Sequence, residues 1–173
     1  GRVKIDHGYQ YFLSQMRPKS RGWLRLRSTD PDTHPEIVFN YLDDPADAGE
    51  MLDGLAQTRE MARQAPWAAM GGTEIAPGPD VRSRDEALEW MRRIGNTEHH
   101  PVGTCRMGHD AMAVTDGEGR VRGLSGLRIV DGSILPHIPT ANVNAPIIMV
   151  AEKIADRIRG RAPLPRESLR PLG

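Results

Sequence analysis

Apolar side chains recur along this chain at two different spacings, and the switches between them mark out its elements. Residues 9–16 and 23–27 alternate or cluster apolar positions at strand spacing, with the turn-forming Arg17-Pro18-Lys19-Ser20-Arg21-Gly22 between them. Two antiparallel strands are predicted there. Residues 35–42 (Pro-Glu-Ile-Val-Phe-Asn-Tyr-Leu) predict a third, reached through the turn-rich segment 28–34. Asp44-Pro45-Ala46-Asp47 then supplies an N-cap, a proline at the first helical position and an acid in the first turn. The predicted helix covers residues 44–64 and turns Ala48, Met51, Leu52, Leu55 and Ala62 inward. After the Gly/Pro-rich loop 71–79, Ser83-Arg84-Asp85-Glu86 forms a capping box. It opens a second helix over residues 83–95, with Ala87, Leu88, Met91 and Ile94 on one face and Gly95 as its cap.

The last third of the chain is less regular. Residues 99–108 have no period, and residues 114–121 contain the turn Asp116-Gly117-Glu118-Gly119. Leu127-Arg128-Ile129-Val130 reads as a short buried strand ending in Asp131-Gly132. A third helix is predicted from near Asn144, with Pro146 in its first turn and Gly160 at its end. Ile147, Val150, Ala151, Ile154 and Ile158 share its apolar stripe. The Pro/Arg-rich tail after Arg161 is expected to be loosely held.

With 173 residues, 38% hydrophobic and 27% charged, the chain suits one soluble domain or slightly more. Acidic and basic residues balance at 23 each, so no net field draws it to nucleic acid. A single cysteine, Cys105, excludes an internal disulfide framework and fits a reducing, cytoplasmic setting. The longest strongly apolar run, residues 145–151, is too short to cross a bilayer. The start lacks methionine and a signal-peptide hydrophobic region and falls within a polar segment, which suggests a truncated beginning. No glycine-rich dinucleotide loop follows any predicted strand.

Three loop segments beside regular elements could carry chemistry: His99 to Gly108, Asp131 to Pro136, and Asn142 to Pro146. Each also has an ordinary structural explanation, as a polar loop, a turn after a strand and, for Asn144, a helix N-cap. Together they can make a hydride-transfer site. Alcohol oxidation removes a hydroxyl proton and a hydride from the same carbon, which calls for a neutral imidazole and a facing acceptor. His100 suits the base, and the Asn142 amide can orient the same oxygen without competing for its proton. Asn144 opens a helix whose free N–H groups would stabilise negative charge on a reduced ring. Asp131-Gly132 could present a carboxylate and an amide to a ribityl chain or pyrophosphate.

These segments, with Met16-Arg17-Pro18-Lys19-Ser20-Arg21-Gly22, His34 to Tyr41, Asp116 to Val121 and Leu127 to Pro136, resemble the C-terminal region of the glucose-methanol-choline oxidoreductase family. The set His-Pro-x-Gly-Thr-x-x-Met-Gly, Asp-x-Ser-x-x-Pro and Asn-x-Asn is specific at these separations. The resemblance implies an α+β fold: an antiparallel sheet with helices on one side, plus a C-terminal strand-helix piece of a Rossmann-like FAD-binding domain. It implies a substrate-binding domain over residues 1–118, a returning FAD-domain segment over 119–162 and a tail over 163–173. It further implies that His100 is the active-site base and Asn142 a substrate-binding partner. Asp131 and Gly132 would lie near the ribityl-phosphate, and Asn144, Ala145 and Pro146 along the flavin edge. Gly132 departs from the alanine common in choline-oxidising members, and His99 stands at a variable position.

The implied reaction passes a hydride from a primary alcohol, choline above others, to flavin N5, with FAD as cofactor and a quinone-type electron acceptor. Another small alcohol is the alternative substrate. The implied partner is a missing N-terminal half that carries the main flavin grip, and without it the fragment could be non-catalytic. Peripheral attachment to the inner face of the cell membrane is compatible with the sequence. A zinc site from His99, His100, Cys105 and His109 is disfavoured by Pro101 and by the lack of any Cys-x-x-Cys pair. Nothing near Cys105 marks it as an activated nucleophile for pairing with His100, and a small buried residue is the better reading.

Overall fold

The computed structural model describes residues 7–140, 142–165 and 167, and it separates into two compact units, Gly1–Glu98 and His99–Gly173. The fold is α+β, with a small antiparallel sheet and helices. The first few residues and much of the tail expected to be loosely held lie outside the described residues.

In the first unit, β1 (Trp23–Arg25) pairs with β2 (Glu36–Val38), placing Trp23 opposite Val38 and Arg25 opposite Glu36. This sheet is smaller than the sequence predicts. Pro35 has no N–H to add to the ladder, and Asn40 and Leu42 are left-handed at φ 53° and 60°, so the second strand ends at Val38. Residues 9–16 form no strand at all. Their alternation serves packing on helices: Tyr9 and Tyr11 lie with Trp67 as three rings 5.4–5.5 Å apart. Leu13 fills the space above Gly54, where an added Cβ would meet its Cδ1 at 2.7 Å.

Helix α1 (Pro45–Arg63) begins as the sequence predicts, with the Asp44 carboxylate accepting from the Ala46 N–H at 2.8 Å. It packs against the short α2 (Ala65–Ala68) and against α3 (Arg84–Ile94). The capping box closes from both sides: the Glu86 N–H donates to Ser83 Oγ and the Ser83 N–H donates to Glu86 Oε2. Ala48, Ala87 and Met91 are buried as expected, whereas Ile94 in the last turn of α3 is 51% exposed.

The main anchor of this unit is Asp47, read from sequence only as a first-turn acid. Its side chain is 1% exposed and accepts from the Lys19 and Ser20 N–H groups, the Ser20 hydroxyl and Gln15 Nε2. These bonds fasten residues 15–20 to the start of α1. Burial alone would raise the Asp47 pKa, but the donors outweigh it and hold the carboxyl below its ordinary value.

In the second unit, the expected strand over residues 127–130 is reduced to a single bridge between Arg128 and Arg120, and Leu127 is 48% exposed. Left-handed Gly123 and Gly126 confine the pairing to the neck of a loop. Helix α4 (Asn144–Ile158) buries Ile154 and leaves Ile158 57% exposed. No helix among the described residues is long and apolar enough to cross a membrane.

Asp47→Asn is expected to destabilise the protein by about 2–4 kcal/mol at neutral pH, because several donors lose an ionised acceptor. Since the folded carboxyl titrates below its unfolded value of roughly 3.9, its contribution is complete above that pH. It disappears as pH falls through the lowered folded value. Urea unfolding at pH 7 and pH 3 should show the gap between wild type and Asp47→Asn shrinking in acid; a constant gap would contradict this role.

Candidate functional site

The loop bearing His100 has no secondary structure of its own, yet neighbouring backbone holds it on both sides. The Cys105 N–H donates to Ser133 O at 3.0 Å and the Met107 N–H to Ile134 O at 2.8 Å. On the other side, Val114 N–H donates to Arg106 O and Gly108 N–H to Thr115 O. Thr115 is fully buried, and its hydroxyl donates to Cys105 O at 3.2 Å. Arg106 and Asp110 close the loop with two parallel bonds of 2.8 and 2.6 Å. The Arg106 guanidinium holds the Asp110 carboxyl well below the usual carboxylate range. His100 lies at the mouth of this stitched segment and is half-buried.

Asp131 sits at the start of a 3-10 turn, Gly132–Ile134, where its Oδ1 accepts from the Ser133 N–H at 2.7 Å. One carboxylate oxygen therefore caps the turn. Gly132 is the point of closest approach: a Cβ added there would lie 3.0 Å from Ile147 Cδ1 and 3.6 Å from Pro101 O. The residue after His100, the turn after Asp131 and the first turn of α4 thus meet around one glycine.

Helix α4 is not capped by Asn144. Buried Val143 is the N-cap and offers no side-chain acceptor, so Asn144 becomes the first helical residue. The first intrahelical bond comes from the Ile147 N–H to Val143 O, and Pro146 has no N–H. The N–H groups of Asn144 and Ala145 consequently precede the hydrogen-bond ladder, at the positive end of the helix dipole. Asn142, Asn144 and Ala145 are all exposed, and Pro146 is half-buried.

The turn at residues 116–119 braces α4 from the other end. Gly119 is buried with φ +73°, and an added Cβ would meet Ile129 O at 2.6 Å and Ile154 Cδ1 at 3.4 Å. Glu118 pairs with Arg120 and with Arg157 of α4, and its carbonyl accepts from Arg128 at 2.6 Å. Burial raises the Asp116 pKa, but the Arg120 and Glu118 N–H groups prevail and keep it lowered. Sequence reading missed Thr115, the Arg106–Asp110 clasp and the hub at Glu118. Only the Asp-Gly-Glu-Gly turn gave a signal for any of them.

The three segments carry an imidazole, side-chain amides and, at the start of α4, N–H groups ahead of the helical ladder. Among the described residues, no three His, Cys, Asp or Glu side chains converge as metal ligands. In the first unit, the rings of Tyr9, Tyr11 and Trp67 close on one another, and Arg25 covers the Trp23 face at 4.5 Å. Those aromatics leave no slot for a cation between them.

Residues 18–151 match the family described as GMC oxidoreductase. The chain is 52% identical over 163 residues to the oxygen-dependent choline dehydrogenase of Chromohalobacter salexigens, covering 94% of this chain and 29% of that protein. It is 50% identical over 163 residues to the protein of the same name from Klebsiella pneumoniae, with the same coverage. Among solved structures, it is similar to an FAD-dependent oxidoreductase from Chaetomium thermophilum, with a TM-score of 0.78 and 30% identity over 84% of this chain and 25% of that one. It is also similar to pyridoxine 4-oxidase from Mesorbium loti, with a TM-score of 0.73 and 28% identity over 85% of this chain and 29% of that one. The chain spans less than a third of the length of these proteins.

Gly119→Ala is expected to lower stability by about 2 kcal/mol or more, combining left-handed strain with a backbone clash. A lower urea midpoint with an unchanged slope is the expected result. An unchanged midpoint would show that the turn does not brace α4.

Proposed function

Because this chain belongs to the GMC oxidoreductase family, we propose that it is the catalytic C-terminal portion of an FAD-dependent alcohol dehydrogenase. The observation that carries this reading is the meeting of Pro101, Gly132 and Ile147, which gathers the His100 loop, the Asp131 turn and the start of α4. In this reading His100 accepts the hydroxyl proton of a primary alcohol, and Asn142 donates a hydrogen bond to the same oxygen. Loss of the proton raises electron density on the carbinol carbon and makes its hydride a better leaving group.

The residues present fit an isoalloxazine edge. The N–H groups of Asn144 and Ala145, which precede the helical hydrogen-bond ladder, suit an electron-rich ring. Bound FAD would supply the two-electron acceptor. Residues 119–162 are assigned to the FAD-binding part and residues 1–118 to the substrate-binding part. The glycine-rich grip on the dinucleotide would come from the N-terminal portion that the longer relatives carry.

Choline is the proposed substrate, supported by the names of the relatives at about half identity. Another small primary alcohol is the competing reading, because the Tyr9, Tyr11 and Trp67 rings, among the described residues of the first unit, pack on one another. The resemblance implies a quinone acceptor, while the relatives' names describe oxygen dependence. Anaerobic turnover with and without an added quinone separates the two.

In the full-length enzyme, His100→Ala should slow flavin reduction by alcohol roughly 10²–10⁴-fold while the flavin stays bound. Anaerobic stopped-flow bleaching measures it, and near-normal rates would remove His100 from the role of base. In the same assay choline should bleach the flavin faster than simple alkanols; no bleaching by choline would exclude the narrower substrate.

A further inference from the structure

Away from this site, the C-terminal half of α1 and the loop 74–82 line an open concavity of about 390 Å³ bordered by Arg59, Arg63, Glu74, Pro79, Val81 and Arg82. Three guanidinium groups face one carboxylate there, and that carboxylate is already satisfied. Glu74 accepts from Arg59 Nη2 at 2.8 Å, from Arg59 Nε at 3.1 and 3.2 Å, and from the Gly78 N–H at 3.3 Å. Arg59 Nη2 also donates to Gly78 O, so this pair is the clasp that holds the loop to the helix.

The other two arginines are not committed in this way. Arg63 touches only Glu60, at 3.4 Å and with both side chains more than 60% exposed. Glu60 itself also accepts from Gln64. Arg82 donates from Nε to Pro79 O, and Nη1 and Nη2 have no hydrogen-bond partner among the described residues. The nearby Glu86 carboxylate is held by the Arg82 and Ser83 N–H groups in the capping box. Planar guanidinium forks match the oxygens of phosphate bidentately. Like charges gathered at one concavity are best offset by an anion between them.

We propose that this concavity binds a small phosphate monoester, with Arg63 and Arg82 grasping the phosphate and Pro79 and Val81 contacting the organic part. The volume falls in the range of roughly 300–1,000 Å³ typical of small-molecule sites, larger than a bare oxyanion needs. The proposal is independent of the alcohol-oxidising site, since none of these side chains belongs to it.

The test uses the full-length, flavin-loaded protein, titrated calorimetrically with inorganic phosphate and with glycerol 3-phosphate at ionic strength held constant by chloride. Saturable one-to-one binding of both is expected, with the monoester at least as tight as phosphate. Arg63→Gln/Arg82→Gln should weaken both at least tenfold while leaving flavin reduction by alcohol unchanged. Arg82→Lys keeps the charge but loses the fork, and should weaken phosphate binding severalfold without altering the melting temperature. Absence of saturable binding above the chloride background, tighter binding of bare phosphate than of the monoester, or undiminished binding by the variants would overturn it.

Discussion

Two backbone hydrogen bonds, from Cys105 to Ser133 and from Met107 to Ile134, hold the candidate site together. A loop with no regular structure cannot orient a side chain by itself, because each of its residues retains conformational freedom. Here the freedom is removed by pairing with the Gly132–Ile134 turn on one side and with Val114 and Thr115 on the other. The Arg106–Asp110 clasp then closes the loop. His100 precedes the first of these bonds, at the entry to the fixed segment.

The same turn determines where α4 begins relative to that loop. Gly132 has no side chain, so Pro101 and Ile147 approach the same point from different segments. Buried Val143 and Ile154 hold the helix along its length, while Glu118 ties it to the 116–119 turn. Because no side chain caps it, the helix retains donors at its first turn. That is an unfavourable end for an isolated helix and a favourable one for an electron-rich ring. The first unit uses a comparable device for a different end: the buried Asp47 carboxylate gathers the donors of residues 15–20 and sets the segment that leads into β1 against α1.

Helix positions were legible because their signals act within about four residues. Asp44-Pro45 and Ser83-Glu86 cap α1 and α3 as read, and the stripes through Ala48, Ala87, Met91 and Ile154 turn inward. Strands were less legible. Residues 9–16 and 127–130 have strand-like spacing, yet the former lies along helices and the latter makes one bridge. A two-residue period reports that alternate side chains face apolar surroundings and does not say whether those surroundings are a sheet or a helix. The candidate site residues could be named through the conjunction of three loop motifs, each unremarkable by itself.

The sequence by itself determined helices α1, α3 and α4, the N-terminal caps of α1 and α3, the balance of charge and the family, because all of these reside in residue type and short spacing. Tertiary structure alone decided that Asp47 is a buried hub, that Asn144 enters the helix instead of capping it, and that Pro101, Gly132 and Ile147 converge. Those outcomes depend on which distant segments supply donors, acceptors and contact surface. No local period encodes the partner of a loop, since the partner is selected by how the whole chain packs.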